Sequence, residues 1–527
     1  MSAPDPIVRR RHLAASAAIF GVATGLSRVL GLVREIVARR YFGVQGEINA
    51  FTVAFQVPNL VRALVADSAL SAAFVPVFSE LLEKGEKARA WRVASTVFWL
   101  LLLGLTGITA LLMLLAPWVL APFGMPPAYD DLAVTLSRIL FPIVVLLGVS
   151  GVIVGILNSY EQFSIPALTP VFWNLAIIIG LVVGVPQADS ESAKLYVYAG
   201  SILIGTIIQV LLPVPWLLKL DGRLHRLIDW RDPAVKQVFV LMVPVTLGLG
   251  LINFNAVIGT FFASRYIDPR ISPSAIDAAF RIYMLPQGMF SVAVATVLFP
   301  AISRLAARGD MAGFRNTVAI GIRQIAFLLV PASVAAAVLA DPIVRLLYQR
   351  GEFTSEQTPV VAGALAAFSA GLAFNGMMLM LNRAFFALQS PWTPTWVAAF
   401  NLTLNTLLYI PLYRVGTWGI PLAISLSNVA AALVLLVLLR RRLGRLEIRE
   451  TTRAVALITL ASCVLAGVAY GVWWVLDEGL GETLLAQVAA VGVALVAGSA
   501  AYLGACWVLH VRELRALLAL RRGRSAS

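Results

Sequence analysis

Apolar runs recur along this chain, separated by short polar loops. Each run is long enough to be one helix crossing a bilayer, which takes about 20 mostly apolar residues. The pattern predicts about fourteen such helices. They fall near 14–42, 48–80, 92–120, 129–157, 164–185, 195–218, 235–263, 274–303, 316–339, 357–387, 393–412, 416–439, 454–476 and 484–510. Gly, Pro or Arg interrupts the first, second and eighth runs. Interrupted helices are tolerated only where they face protein or a wet cavity. The expected fold is an all-α polytopic membrane protein.

The polar positions between the runs give an orientation. Counted from a cytoplasmic N-terminus, one side collects Arg9 to Arg11, Lys84 to Arg92, Lys219 to Lys236, Arg304 to Arg315, Arg440 to Arg453 and the tail "RRGR". The other side holds "PFGMPPAYDD", "PQADSES" and "LDEGLGE", with no cation, against exceptions at Arg39, Arg40, Lys194, Arg265, Arg270, Arg350 and Arg414. This asymmetry closes with an even number of spans and both termini cytoplasmic.

A repeat is also legible. "FVPVFSELLEKGEKA" near Pro76 matches "LFPAISRLAARGDMA" near Pro300, an offset of 224 (300 − 76), and Leu157–Asn158 recurs as Leu381–Asn382 at the same offset. An even number of spans separates the copies, so they share an orientation. Two pseudo-symmetric six-helix lobes plus two C-terminal helices follow, and such repeats rock about a central site. The expected domains are an N-lobe at 1–220, an amphipathic linker at 221–236, a C-lobe at 237–442, and a C-terminal helix pair with a basic tail at 443–527. The linker interleaves cations with Leu224, Leu227, Ile228 and Trp230. It reads equally as a short interfacial helix or as a charged connector.

Composition narrows the function. The 527 residues are 60% hydrophobic and 13% charged, against about 25% charged in soluble domains. The mean hydropathy is +0.87. The net charge of +14 is explained by loop cations rather than by nucleic acid. The basic N-terminus lacks a small-residue cleavage site, so no cleaved signal peptide is expected. Two cysteines inside late apolar runs and three scattered histidines make no metal or redox pattern. No metal site and no cofactor are expected, and no Gly-rich phosphate loop suggests an ATP-driven pump.

The informative residues are charges inside the apolar runs: Arg28, Arg34, Glu35, Arg62, Asp67, Arg138, Asp277, Arg281, Arg323 and Arg383. Each costs about 2.5–3.5 kcal/mol at the bilayer centre on insertion scales. Arginine outnumbers carboxylate seven to three, so a cavity lined this way attracts anions, and guanidinium forks suit phosphate oxygens. Arg323 and Arg383 lie near helix ends and are expected to snorkel. Arg28, Arg34, Arg62 and Arg281 sit in interrupted runs and are the binding candidates. At about 100° per residue Arg28 and Arg34 lie about 120° apart. They converge on one ligand only if the helix bends at Gly31, whereas Glu35 has a structural partner available in Arg39.

The stretches "SRVLGLVREIVARRYFG", "NAFTVAFQVPNLVRALVADSALSAAFVPVFSE", "ILNSYEQFSIPALTPVFWN", "LYQRGEFT" and "RAFFALQSPWTP" together resemble the MurJ/MviN family. These are bacterial lipid II flippases of the multidrug/oligosaccharidyl-lipid/polysaccharide exporter superfamily. The resemblance runs from about Ser16 to Arg440 in five ordered motifs. It implies alternating-access transport of lipid-linked peptidoglycan precursor to the outer leaflet of the bacterial inner membrane. It also implies a monomer with wall-synthesis and division proteins as partners. Pyrophosphate binding then falls on Arg28, Arg34, Arg62 and Arg281, supported by Ser27, Gly31, Glu35, Asn49 and Asp67. The last two spans would form a groove for the polyprenyl tail, although their small residues equally suit helix packing.

The chain departs from the family at two carboxylates, replaced by Asn49 and Phe280. Both changes are expected to leave the arginines less compensated. Spans 7, 11 and 12 carry no carboxylate, and Asn401, Asn405 and backbone carbonyls would hold sodium weakly. A sodium site is therefore not expected; the sequence does not name the driving force, for which the membrane potential and an ion gradient are the candidates. The competing readings are an exporter of another polyprenyl-pyrophosphate-linked glycan and a non-transporting wall-assembly scaffold. A drug antiporter would need buried carboxylates, and a lipid-pyrophosphate enzyme would need clustered acids or histidines.

Overall fold

A computed structural model describes residues 6–65, 68–444, 448–481 and 483–515, and all regular structure among them is helical. Nine helices there are long and apolar enough to cross a membrane, ten if one bent pair counts as a single span. Each of the expected apolar segments coincides with one helix or with consecutive helices.

The chain forms two compact units. The first runs to Arg265 and takes in Pro269–Pro273; the second contains the remainder. The first holds α1 (Pro6–Phe42), α2 (Ile48–Val65), α3 (Ser68–Glu83), α4 (Lys87–Leu120), α5 (Pro127–Leu140), α6 (Pro142–Ser159), α7 (Ser164–Ile179), α8 (Glu191–Leu211), the single turn α9 (Val214–Leu217) and α10 (Pro233–Phe262). The second holds α11 (Ser272–Pro286), α12 (Val292–Ala307), α13 (Met311–Val338), α14 (Ala340–Tyr348), α15 (Thr358–Ser369), α16 (Leu372–Ala387), α17 (Trp392–Leu412), α18 (Gly419–Leu443), α19 (Ile448–Leu480) and α20 (Leu484–Val508). The helix after the linker, α10, packs on α2 and α3. The packing boundary therefore lies one helix beyond the repeat boundary.

The duplication is visible in the helix caps. After α3, Gly85 takes φ +77° while Glu86 N–H bonds Leu81 O and Gly85 N–H bonds Leu82 O. After α12, Gly309 takes φ +72° while Asp310 bonds Leu305 O and Gly309 bonds Ala306 O. This is one Schellman stop written twice, 224 positions apart (309 − 85), and only glycine adopts its left-handed corner freely. The same stop recurs after α6 and α16, at Glu161 (φ 59°) and Gln389 (φ 53°), now 228 apart (389 − 161). The later copy has thus gained four residues, about one helical turn. The Asn158–Asn382 match is corrected accordingly: the cap equivalent of Asn158 is Phe386, and Asn382 lies one turn earlier.

Two apolar cores build the first unit. One gathers around Tyr198, whose ring stacks on Phe51 at 4.6 Å and on Phe42 at 5.6 Å; the other gathers around Phe74, Phe78 and Trp91. In lipid such packing draws on close fit rather than on exclusion of water. The second unit shows the need for small residues. Between α15 and α16 the chain bends by 41° at Gly371. A Cβ there would sit 2.6 Å from Ser425 Cα. The Ser425 hydroxyl donates to the carbonyls of Ala367 (2.6 Å) and Phe368 (3.1 Å) at this bend.

The linker takes neither expected form cleanly. Residues 219–232 are irregular rather than helical, yet they are tied down along the start of α4.

Candidate functional site

Arg34 projects from α1 onto α7, the helix against which α1 packs most extensively. Its Nη1 donates to Asn174 Oδ1 at 3.1 Å, and its guanidinium lies 4.8 Å from the centre of the Trp173 ring. Asn174 is buried; its amide nitrogen donates to Pro170 O (2.9 Å), Ser27 O (3.3 Å) and Ser27 Oγ (3.4 Å). Trp173 is fixed from the other side, since its Nε1 donates to Thr206 Oγ1 at 3.1 Å. Gly205 admits the Trp173 carbonyl 3.1 Å from where a Cβ would stand. The sequence of α7 fits this job. Pro170 removes one backbone donor, and Thr169 supplies its hydroxyl to the Pro166 carbonyl at 2.9 Å.

The outcome is an arginine with neutral company. Among the described residues no carboxylate pairs with Arg34, and its buried Nε has no hydrogen-bond partner. An aromatic face and an amide orient the fork while leaving its charge uncompensated. Arg28 is exposed and makes no hydrogen bond or ion pair among the described residues. Helix α1 runs unbroken through Gly31, so Arg28 and Arg34 stay on different faces and do not share a partner. Gly31 faces Asn174, 3.9 Å from its Oδ1 by an added Cβ.

The other expected residues separate by role. Glu35 is buried and binds Arg39 at 2.8 Å, and Arg39 also donates to Gly43 O, so this pair closes the end of α1. Arg62 lies on α2, its Nη2 and Nε donating to Asn59 Oδ1 at 2.8 and 3.2 Å. Asn49 is fully buried, and its amide nitrogen donates to three carbonyls, Val44, Gly46 and Arg270. A carboxylate there would meet three acceptors with nothing to donate. The expectation that Asn49 is a lost counter-ion is therefore corrected: in this chain it laces a corner. Asp67 lies outside the described residues.

Arg281 belongs to the second unit and has charged company. Its Nη2 lies 3.1 Å from Asp277 Oδ1, one turn earlier on α11. The carboxylate expected to be missing at Phe280 is thus present three residues before it. Phe280 instead stacks with Tyr283 (5.8 Å) and packs on Phe368 (5.6 Å). Of the remaining membrane charges, Arg323 does not snorkel. It is mostly buried, its side chain 12% exposed, and paired with Glu513 at 3.1 Å. Arg383 lies 4.9 Å over the Phe299 ring, and Arg138 Nε donates to Met113 O at 3.1 Å.

The second unit also contains an apolar cavity of about 540 Å³, lined by Val334, Ala366, Phe374, Met377, Leu433 and Val455 among others. Helix α19 contributes only its first turns, Thr451 to Thr459. The small residues later in α19 and in α20 pack those two helices together, with Gly498 against Ala469 and the Leu465 carbonyl. Among the described residues no group of three or more His, Cys, Asp or Glu is placed to hold a metal. Asn401 donates to Asn428 Oδ1 (3.2 Å) and Ser427 O (3.3 Å).

The partners of these arginines were missed in sequence, although Asn174, a lone amide in an apolar run, carried a readable signal.

Comparison with known proteins places this geometry. The family model described as lipid II flippase MurJ matches residues 38–489. A lipid II flippase of Burkholderia cenocepacia is 31% identical over 505 residues, covering 92% of this chain and 95% of that one. A probable lipid II flippase of Vibrio cholerae is 30% identical, covering 95% and 97%. A solved lipid II flippase in an inward closed conformation superposes with a TM-score of 0.78 at 24% identity, covering 95% of this chain and all of that one. An inward-facing multidrug resistance transporter of the MATE family gives 0.70 at 17% identity and 82% coverage. At these identities the solved structures speak for the fold.

Proposed function

The chain belongs to the lipid II flippase MurJ family, and from that premise we propose that it moves lipid II from the inner to the outer leaflet of the bacterial cytoplasmic membrane by alternating access. The observation that carries this reading is Arg34, held by Asn174 and Trp173 with its charge uncompensated. A pyrophosphate offers only acceptor oxygens and negative charge, and an oriented guanidinium fork is the side chain best matched to it. Arg28, on a different face of the unbroken α1, is left as a gating or packing residue unless the helix bends at Gly31 during the cycle. Arg62 is a further candidate in the first unit; Arg281, in the second, is a candidate on its own and must exchange Asp277 for a phosphate.

The apolar cavity beside α19 suits the polyprenyl tail, which needs a surface as apolar as the lipid it leaves. The loop charges support cytoplasmic termini. Transport makes and breaks no bond, so the residues supply binding and orientation alone. The membrane potential or an ion gradient drives the cycle of a monomer that works beside wall-synthesis and division proteins.

Expression in cells depleted of their own flippase, followed by a leaflet-accessibility assay for lipid II, tests this. Growth should return with lipid II reaching the outer leaflet. Stable, membrane-inserted protein that restores neither would sink the proposal.

A further inference from the structure

The irregular strap between α9 and α10 is built into the first unit by specific contacts. Asp221 pairs with Lys87 and accepts from the Tyr160 hydroxyl. Arg89 grips Asp232 with Nε and Nη2 at 3.0 and 2.9 Å. The backbone N–H groups of His225 and Asp229 donate to Ser95 Oγ (2.9 Å) and Thr96 Oγ1 (3.0 Å), and Trp99 Nε1 donates to His225 O at 2.8 Å. Gly222 is required because a Cβ would strike the Trp91 indole.

Between this strap and the start of α4 lies a cleft of about 630 Å³, with Lys87, Arg92, Arg223 and His225 on its walls. Asp221 is the one carboxylate lining it and is already engaged by Lys87 and Tyr160. The side chains of Arg92, Arg223 and His225 are exposed and carry no hydrogen bond or ion pair among the described residues. The cleft thus carries an excess of positive charge, tempered by Asp221 and by Asp232, which feels Arg92 without pairing to it. Helix α4 heads a candidate membrane span that starts at Lys87, so the cleft lies at the polar end of a spanning helix. The same strap and the turn before it expose Leu218 (65%), Leu227, Ile228 and Trp230 (73%). A loop surrounded by water has no reason to display four large apolar side chains, whereas tryptophan and cations together are the signature of the interface.

We propose that this cleft binds the phosphate of an acidic glycerophospholipid of the inner leaflet. Arg92 and Arg223 meet the phosphate, and Leu227, Ile228 and Trp230 enter the boundary between headgroups and acyl chains. The site is separate from Arg34 and stands whether or not lipid II is the cargo.

Native mass spectrometry of the delipidated full chain, titrated with phosphatidylglycerol, phosphatidylcholine or inorganic phosphate, tests it. Phosphatidylglycerol should be retained over phosphatidylcholine, and raised salt should weaken it. Arg92→Gln should weaken it about fivefold, and the Arg92→Gln, Arg223→Gln pair roughly thirtyfold. Trp230→Ser should weaken the lipid and leave inorganic phosphate unchanged. A wild-type unfolding midpoint in these variants separates lost binding from lost fold. Equal retention by wild type and the double variant, or salt-insensitive wild-type binding, would overturn the proposal. Inorganic phosphate that displaces the lipid at equal concentration, with Trp230→Ser silent, would assign the cleft to a free anion instead.

Discussion

Arg34 and Arg281 sit in opposite units and keep opposite company. Arg34 rests on an indole and an amide, with no carboxylate paired to it among the described residues. Arg281 is clasped by Asp277 one turn away. The difference is one of readiness. An anion reaching Arg34 displaces no counter-ion, whereas an anion reaching Arg281 must compete with a resident carboxylate. The first is a standing receptor; the second binds in exchange.

The comparison breaks most decisively at Arg34 itself. Arg34→Ala removes the uncompensated charge, and lipid II binding by the purified chain should fall by about a hundredfold or more. Binding within a few-fold of wild type would remove Arg34 from the site. Asn174→Ala keeps the charge but frees the fork from its orientation. A loss of about tenfold in the same assay is expected, as for one hydrogen bond to a charged group. Asn174→Asp should cost less binding than the alanine only if orientation outweighs charge; a larger loss supports the importance of a neutral partner. Asp277→Asn should act in the opposite direction. It releases Arg281 and should tighten pyrophosphate binding by up to about fivefold, a modest gain because the pair is partly exposed. Weaker binding would show that Asp277 orients Arg281 instead of competing for it. The smallest effect is expected at Gly31→Ala. The added methyl meets only ordinary contact with Asn174, so transport should persist while the helix gains up to about 1 kcal/mol in propensity. Loss of transport with intact folding would show that α1 bends there during the cycle.

The spans, the duplication and the excess of arginine within the apolar runs were legible because each is written locally or at a fixed offset. The partners were not, because lipid-embedded contacts join residues far apart in the chain. Asn174 is 140 positions from Arg34, and no periodicity links them. Asn174 is not ionisable, yet an amide in hydrocarbon raises the same question as a charge. Asp277 shows the converse. Its i,i+4 spacing to Arg281 was readable, but attention to the carboxylate absent at Phe280 hid the one already present. The extra helical turn in the later copy escaped notice because Leu381–Asn382 repeats the motif at the wrong register, and only the caps reveal the shift.

The pairing of Arg323 with Glu513 has a practical consequence for anyone attaching a reporter to this protein. Glu513 lies five residues past the end of α20, on a further helical stretch that starts at Arg512 and packs its Leu514 into the core. A fusion joined after Arg515 leaves that carboxylate in place. A trim only a few residues deeper removes that carboxylate from the mostly buried Arg323 and should lower stability, by at most about 3–5 kcal/mol. The safe cutting point is therefore set by one side chain of α13 rather than by where the last helix stops.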